Sequence, residues 1–242
     1  ASASKLVTIQ QGTGSSKLTF VTFNIPPQVS ISIIDESSHL HIPHKKSIFA
    51  AYTEALEEFS VKPDDIVILC HDDIQVLTDK SIFNMILETK LEDKNIGFVG
   101  VAGTQLFSRS GVWWEASAHI GIRHALNPLR GCVFHGDSIL DLHPTFYGSF
   151  GPVVVMDGLF LAAKGRTLLT IGLSQPDYLP GPWDFYDILY TFKAFKRGLT
   201  NLVVPIQILH QSHGEGIAND SWTVNREAFV TKFTDHLPAS TG

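Results

Sequence analysis

His71-Asp72-Asp73 closes an apolar run, Ile66-Val67-Ile68-Leu69-Cys70. Adjacent carboxylates repel each other, and a hard divalent cation relieves that repulsion while leaving positions open for phosphate oxygens. A metal–diphosphate site is one reading of the triplet. The other is that Asp72 and Asp73 cap a following helix, because acids stabilise helix starts. A second imidazole, His210, stands beyond another apolar stretch in a glycine-containing loop, where it can complete a metal shell begun by the acids. Asp157 interrupts the run Val153 to Ala163, and a carboxylate in such surroundings needs a partner or a task. Asp184 and Asp187 lie among aromatics ahead of a helical pattern; Asp187 can serve as a general base, with helix capping as the alternative. Trp113 and Trp114 offer faces for sugar rings or bases, although tryptophans are more often core or rim packing.

These side chains need elements to position them. The apolar run 66–70 suits a buried strand of a parallel sheet, and acids just beyond its carboxyl end fall where open α/β sheets bind ligands. Strands are also expected over Lys5–Gln10, Lys17–Asn24, Val29–Ile34, Asn95–Gly103 and Leu202–Leu209. Asp35 ends the third of these and can contact a nucleoside, a plain loop acid being the alternative. Helical spacing marks Lys46–Phe59, and also Thr78–Leu91 with Ile82, Met85, Ile86 and Leu91 inward. Gly121–Gly151, rich in glycine, proline and histidine, reads as a long irregular or hairpin insertion. The alternation of strands and helices predicts an α/β fold with a mostly parallel central sheet flanked by helices.

Composition sets the outer limits. The chain has 242 residues, 44% hydrophobic and 17% charged, enough to bury one sizeable core. A net charge of −6 argues against nucleic acid or an anionic membrane held by general electrostatics and favours a small substrate. Cys70 and Cys132 are the only cysteines, and with Cys70 in the buried run a reducing, cytoplasmic setting is expected. There is no apolar stretch of transmembrane length and no signal-peptide order at the start. Residues 1–4 and 239–242 read as frayed ends. His210 and His213 with Cys132 and His135 match no structural zinc spacing, Tyr147–Gly151 lacks the first glycine of a nucleophile elbow, and Gly97, Gly100 and Gly103 do not make a dinucleotide fingerprint.

In this order, four pieces resemble the GT-A glycosyltransferases, in particular family-2-like members: Ile66–Ile74 with a DxD-type motif, Gly97–Gly103 with Trp113-Trp114, the Asp157-Gly158 pair within Val153–Ala163, and Phe185-Tyr186-Asp187 with His210-x-Ser212-x-Gly214. The resemblance implies a Rossmann-like nucleotide-diphospho-sugar transferase fold. It is read as one domain over 5–236, with a nucleotide-binding half (5–110) and an acceptor-binding half (111–236). It assigns Asp73 and His210 to a Mn²⁺ or Mg²⁺ ion, Asp72 to the metal's waters or the ribose, and His71 to the place of the usual ribose-contacting acid. Uridine diphosphate is the implied nucleotide, with Thr22 and Asp35 as candidates for base and ribose. Asp187 becomes the base of an inverting transfer to a hydroxyl of a glycan or other acceptor, Asp157 orients acceptor or donor sugar, Asp184 is the substitute base, and Trp113 and Trp114 lie near sugar or acceptor. Two departures from the family pattern, His71 for an acid and Leu189 where a further acid is usual, leave a rival reading: a non-catalytic carbohydrate- or nucleotide-binding domain. A metal-dependent nucleotidyltransferase is a third.

Overall fold

The computed structural model describes residues 6–11, 19–20, 38–39, 47–71, 73–115, 127–211 and 220–242. Thr22, Asp35 and Asp72, the turn 12–16 and the strand expected over 29–34 lie outside them. In chain order the elements are β1 (Leu6–Gln11), β2 (Thr19–Phe20), β3 (Ser38–His39), α1 (Ile48–Glu58), β4 (Ile66–His71), β5 (Ile74–Val76), α2 (Lys80–Glu92), β6 (Ile96–Gly100), β7 (Ala102–Thr104) and β8 (Leu106–Phe107). There follow β9 (Leu129–His135), β10 (His143–Gly148), β11 (Gly151–Val153), β12 (Val155–Met156), β13 (Phe160–Lys164), α3 (Gly165–Ile171), α4 (Tyr186–Lys196), β14 (Thr200–Val203), β15 (Ile208–His210), α5 (Asp220–Lys232) and β16 (Ala239–Ser240).

The main sheet has the order β11-β14-β6-β13-β4-β1-β3. β3, β1, β4, β6 and β14 run one way, while β13 and β11 oppose their neighbours, so the mostly parallel sheet expected from the alternation is present. Strand β4 lies inside the sheet between β13 and β1, and Val67, Ile68 and Cys70 have no exposed surface, which is why its sequence is continuously apolar. A second sheet has the order β12-β7-β9-β15-β5-β2, with β10 paired to β9, and β16 pairs β8 in a small third one.

Helix starts show which acids cap. Ser47 Oγ accepts from the Ala50 N–H at 3.1 Å, and Asp79 accepts from the Ser81 and Ile82 N–H groups at 2.9 and 3.4 Å. Asp79 therefore starts α2, and strand β5 separates Asp73 from that helix, so Asp73 is not its cap. The inward face of α2 differs from expectation: Phe83, Leu87 and Leu91 are buried at successive i, i+4 positions, while Ile82 and Met85 are 47% and 57% exposed. Phe83 sets this rotation by meeting Phe160 of β13 edge to face, with centroids 5.7 Å apart.

Three further expectations change. The run 95–103 is two strands, β6 in the main sheet and β7 in the second, and 202–209 likewise divides between β14 and β15. The segment 129–148 does form a hairpin, yet its first strand, β9, is a central strand of the second sheet and thus part of the core. Ala239 is buried and joins β16, tied further by the Thr241 N–H to Gln105 O at 3.0 Å, so the chain end is folded rather than frayed. Among the described residues no helix is long and apolar enough to cross a membrane.

Candidate active site

The metal-type residues meet where strands of both sheets end. His71 is the last residue of β4, Asp73 lies between β4 and β5, and His210 ends β15. Antiparallel pairing sets His210 opposite Ile74, and the Gln211 N–H donates to Asp73 O at 2.8 Å, so sheet register itself brings residue 210 to residue 73. His210 Nε2 is 3.2 Å from Asp73 Oδ2, and His71 Nδ1 is 3.8 Å from Asp73 Oδ1. The hydrogen bond with His210 holds the Asp73 carboxyl below the usual carboxylate range, and the two imidazoles act in the same direction against its burial. Ligand atoms of all three residues lie within 4.8 Å of one another, the one such group of three among the described residues. Asp73 Oδ1 is buried without a hydrogen-bond partner. Two imidazole nitrogens and an unsatisfied carboxylate oxygen suit a divalent transition metal such as Mn²⁺, so the residues fit the ion that the sequence implied.

A second group is the carboxylate pair Asp157 and Asp187. Asp157 lies where the chain leaves β12 for β13; its N–H donates to Ala102 O at 3.0 Å, and its Oδ1 accepts from the Leu159 N–H at 2.9 Å. The next residue, Gly158, donates its N–H to Asp187 Oδ2 at 2.8 Å, while Asp187 Oδ1 accepts from its neighbour Ile188 at 2.8 Å. Gly158 must lack a side chain: a Cβ there would stand 2.5 Å from Tyr186 Oη and 2.9 Å from Asp187 Cβ. Phe185 precedes α4 at φ 70°, a left-handed conformation that a side chain adopts only at a cost, and it places Tyr186 and Asp187 at the start of the helix. Burial, then the charge of Asp157, pushes the Asp187 carboxyl up to about 7 despite the two N–H donors.

Both groups line one cavity of about 590 Å³, shared with Trp113, Trp114, Trp183, Asp184 and Trp222. Trp113 is buried, with its ring centroid 5.2 Å from that of Tyr147, while Trp114 and Trp183 are 41% and 45% exposed. Burial pushes the Tyr147 hydroxyl up to about 12, so it is a neutral donor in the wall.

Of the residues singled out in the sequence, His71, Trp113, Trp114, Asp157, Asp184, Asp187 and His210 all line this cavity, and Asp73 joins through His210. His71, read as a ribose contact, stands in the same donor group as Asp73 and His210. Five contributors went unassigned. Tyr147 sits on a hairpin strand, Trp183 beside Asp184, Trp222 on α5, Tyr186 beside the expected base, and His135 beside His210 across parallel strands, ring centroids 5.6 Å apart. The inward reach of Trp222 had no signal in the sequence, because α5 is tied to the cavity only by tertiary packing.

A family model described as "Glycosyltransferase like family" matches residues 22–233. No curated protein matches the chain significantly. A solved structure described as "Crystal structure of GalNAc-T7 with UDP, GalNAc and Mn2+" is similar at 12% identity and a TM-score of 0.47, over 81% of this chain and 37% of that one. The chain therefore spans little more than a third of that protein's length.

Proposed function

The chain belongs to the Glycosyltransferase like family, and on that premise we propose that it is a metal-dependent, inverting transferase of the GT-A type, moving a sugar from a nucleotide-sugar donor, a uridine diphosphate sugar, to a hydroxyl of a glycan or other acceptor. The observation that carries the reading is one cavity that brings together a His-Asp-His donor group and a half-buried carboxylate pair, one member pushed up to about 7. We read the chain as a single domain over 5–236, whose first half holds the nucleotide and whose second half holds the acceptor.

In this reading His71, Asp73 and His210 hold a Mn²⁺ or Mg²⁺ ion, which when bound stabilises the negative charge developing on a departing nucleoside diphosphate. Asp187 takes the proton of the acceptor hydroxyl; a carboxylate with a pKa near 7 is ionised over much of the neutral range yet basic enough to accept it. Each Asp187 oxygen spends one lone pair on a backbone N–H and keeps another for the acceptor. Asp157 orients the sugar, and Asp184 stands in the wall as the substitute base. Thr22, Asp35 and Asp72 remain the proposed contacts to base, ribose and metal waters.

The test is calorimetric titration of uridine diphosphate into metal-free protein, repeated with Mn²⁺ and with Asp73→Ala. Binding that requires Mn²⁺ and disappears in the variant supports the donor site; metal-independent binding removes the cluster from it. Asp187→Asn then separates enzyme from binding module, since a transferase loses turnover while retaining donor. Release of pyrophosphate from nucleoside triphosphates would instead identify a nucleotidyltransferase.

A further inference from the structure

Part of the cavity wall is built from indoles that two loops and one helix hold in place. Trp114 and Trp222 lie with centroids 5.6 Å apart and planes 34° from parallel. Around them, Trp113 meets Trp114 edge on at 5.8 Å, Phe185 meets Trp222 at 5.9 Å, and the Arg226 guanidinium lies 5.7 Å from the Trp222 ring centroid. Helix α5 anchors both loops. Arg226 Nη1 donates to Ser110 O at 2.9 Å, fixing the segment that leads to Trp114. Asn225, wholly buried, donates to Gly181 O and Asp184 O at 2.8 Å each and accepts from the Gly181 N–H at 2.7 Å, fixing the segment that carries Trp183. Rings already packed against neighbours lose little freedom when a ligand covers their exposed surface, and the 41% and 45% exposure of Trp114 and Trp183 leaves apolar surface to cover.

The same cavity also carries acids. Asp157, Asp184 and Asp187 line it, and carboxylate oxygens are hydrogen-bond acceptors. A complementary ligand must bring a flat face of C–H groups for the indoles, a rim of O–H donors for the acids, and no negative charge, because like charges brought together in a partly dry site cost several kcal/mol. A sugar ring without an acidic substituent has this combination. A peptide brings a carbonyl acceptor with every N–H donor and meets the acids less well. The cavity volume of about 590 Å³ falls within the range of pockets that enclose drug-sized ligands.

We infer that the acceptor of this transferase site is an uncharged glycan, whose sugar ring lies against the indole wall of Trp114, Trp183 and Trp222 with its hydroxyls toward Asp157, Asp184 and Asp187. This deepens the transferase reading and rests on it. The test uses the protein with uridine diphosphate and Mn²⁺ on an array of neutral glycans and of glycans bearing uronate, sialate or sulfate. Captured glycans are then titrated by tryptophan fluorescence against the parent, Trp183→Ala and Trp183→Phe. Trp183 is exposed, so its replacement spares the core. The expected result is capture of neutral glycans, a dissociation constant raised about tenfold in Trp183→Ala, and recovery to within about threefold in Trp183→Phe. Preferential capture of acidic glycans, or no capture of neutral ones while uridine diphosphate binds, overturns the inference. So does a Trp183→Ala defect that falls on uridine diphosphate instead of the glycan, which would make the wall part of the donor site. Neutral-glycan capture without any uridine diphosphate binding would sink the transferase reading and support the wall.

Discussion

Asp187 permits a test that separates burial from function. In the unfolded chain its carboxyl titrates near the ordinary 3.8, whereas in the fold burial, and then Asp157, push it up to about 7. Between those values the folded state keeps a proton that the unfolded state has released. The folded state binds more protons there, so stability falls as pH rises from about 4 to about 7 and levels off above. A gap of roughly 3 in pKa corresponds to about 4 kcal/mol, an upper bound because the side chain opens in part to the cavity. The assay is urea unfolding of the parent and of Asp187→Asn from pH 4 to 8, taking the difference at each pH so that other titrating groups cancel. The amide cannot accept from both Gly158 and Ile188, which shifts the difference by about 1–2 kcal/mol at every pH without producing this slope. The parent should lose up to about 4 kcal/mol relative to the variant across the window. Transfer activity should rise along an acid limb with its midpoint near 7, and Asp157→Asn should move that midpoint downward by removing the neighbouring charge. A difference that is flat or rises with pH would refute the burial of this carboxyl. The falling slope without the acid limb would refute its role as base.

Other positions give sharper local outcomes. Asp79→Ala should lower the denaturant midpoint with no change in Mn²⁺ affinity, whereas Asp73→Ala should do the reverse, the two acids having separate tasks. Gly158→Ala should destabilise by about 1–3 kcal/mol and lower turnover more than donor affinity, because its Cβ displaces Tyr186 or Asp187. Phe229→Ala should cost about 3–5 kcal/mol in thermal or urea unfolding, since that fully buried ring contacts Phe107, Phe185 and Phe192 at centroid distances of 6.0, 5.3 and 5.3 Å.

Much of the site was legible because acids in apolar surroundings are conspicuous in a sequence. Asp73, Asp157 and Asp187 each break an apolar or aromatic pattern, and each lies at the cavity or its metal-type cluster. The parallel sheet was legible from β4, whose side chains are buried on both faces. Periodicity could not reveal where one strand becomes two. Val101 between β6 and β7, and Val204 and Ile206 between β14 and β15, are as buried as the strands they join, so the sequence reads as one apolar run through each crossing. The rotation of α2 was hidden for a related reason: Ile82 and Met85 are as apolar as Phe83 and Leu87, and tertiary packing, including the Phe83–Phe160 ring contact, turns the second pair inward. Trp222 and Asn225 belong to the site through the packing of α5 on distant loops, which no local pattern encodes.

The crossings explain why the chemistry sits where it does. Among the described residues, six short segments pass directly between the main sheet and the second: at Asp73, at Val101, at 149–150, at Val154, at Asp157 and through Val204–Gln207. A strand that changes sheets leaves its ladder and turns its backbone toward the cleft between the two, so its polar groups need new partners. At Val101 and Val204 those partners are backbone alone: Val101 O accepts from the Cys132 N–H at 3.2 Å, and the Val204 N–H donates to Gly100 O at 3.0 Å. At Asp73 and Asp157 a carboxylate is added, and the backbone fixes each one to the other's neighbourhood. His71 N–H donates to Leu159 O at 3.1 Å, and Leu159 N–H donates to Asp157 Oδ1 at 2.9 Å, so two hydrogen bonds run from the donor group to the carboxylate pair. The Gly158 N–H then carries the connection to Asp187. The spacing between the donor group and Asp187 is thereby set by junctions between strands and by the start of α4, and sites carried by strands and helices hold a geometry better than sites on loops.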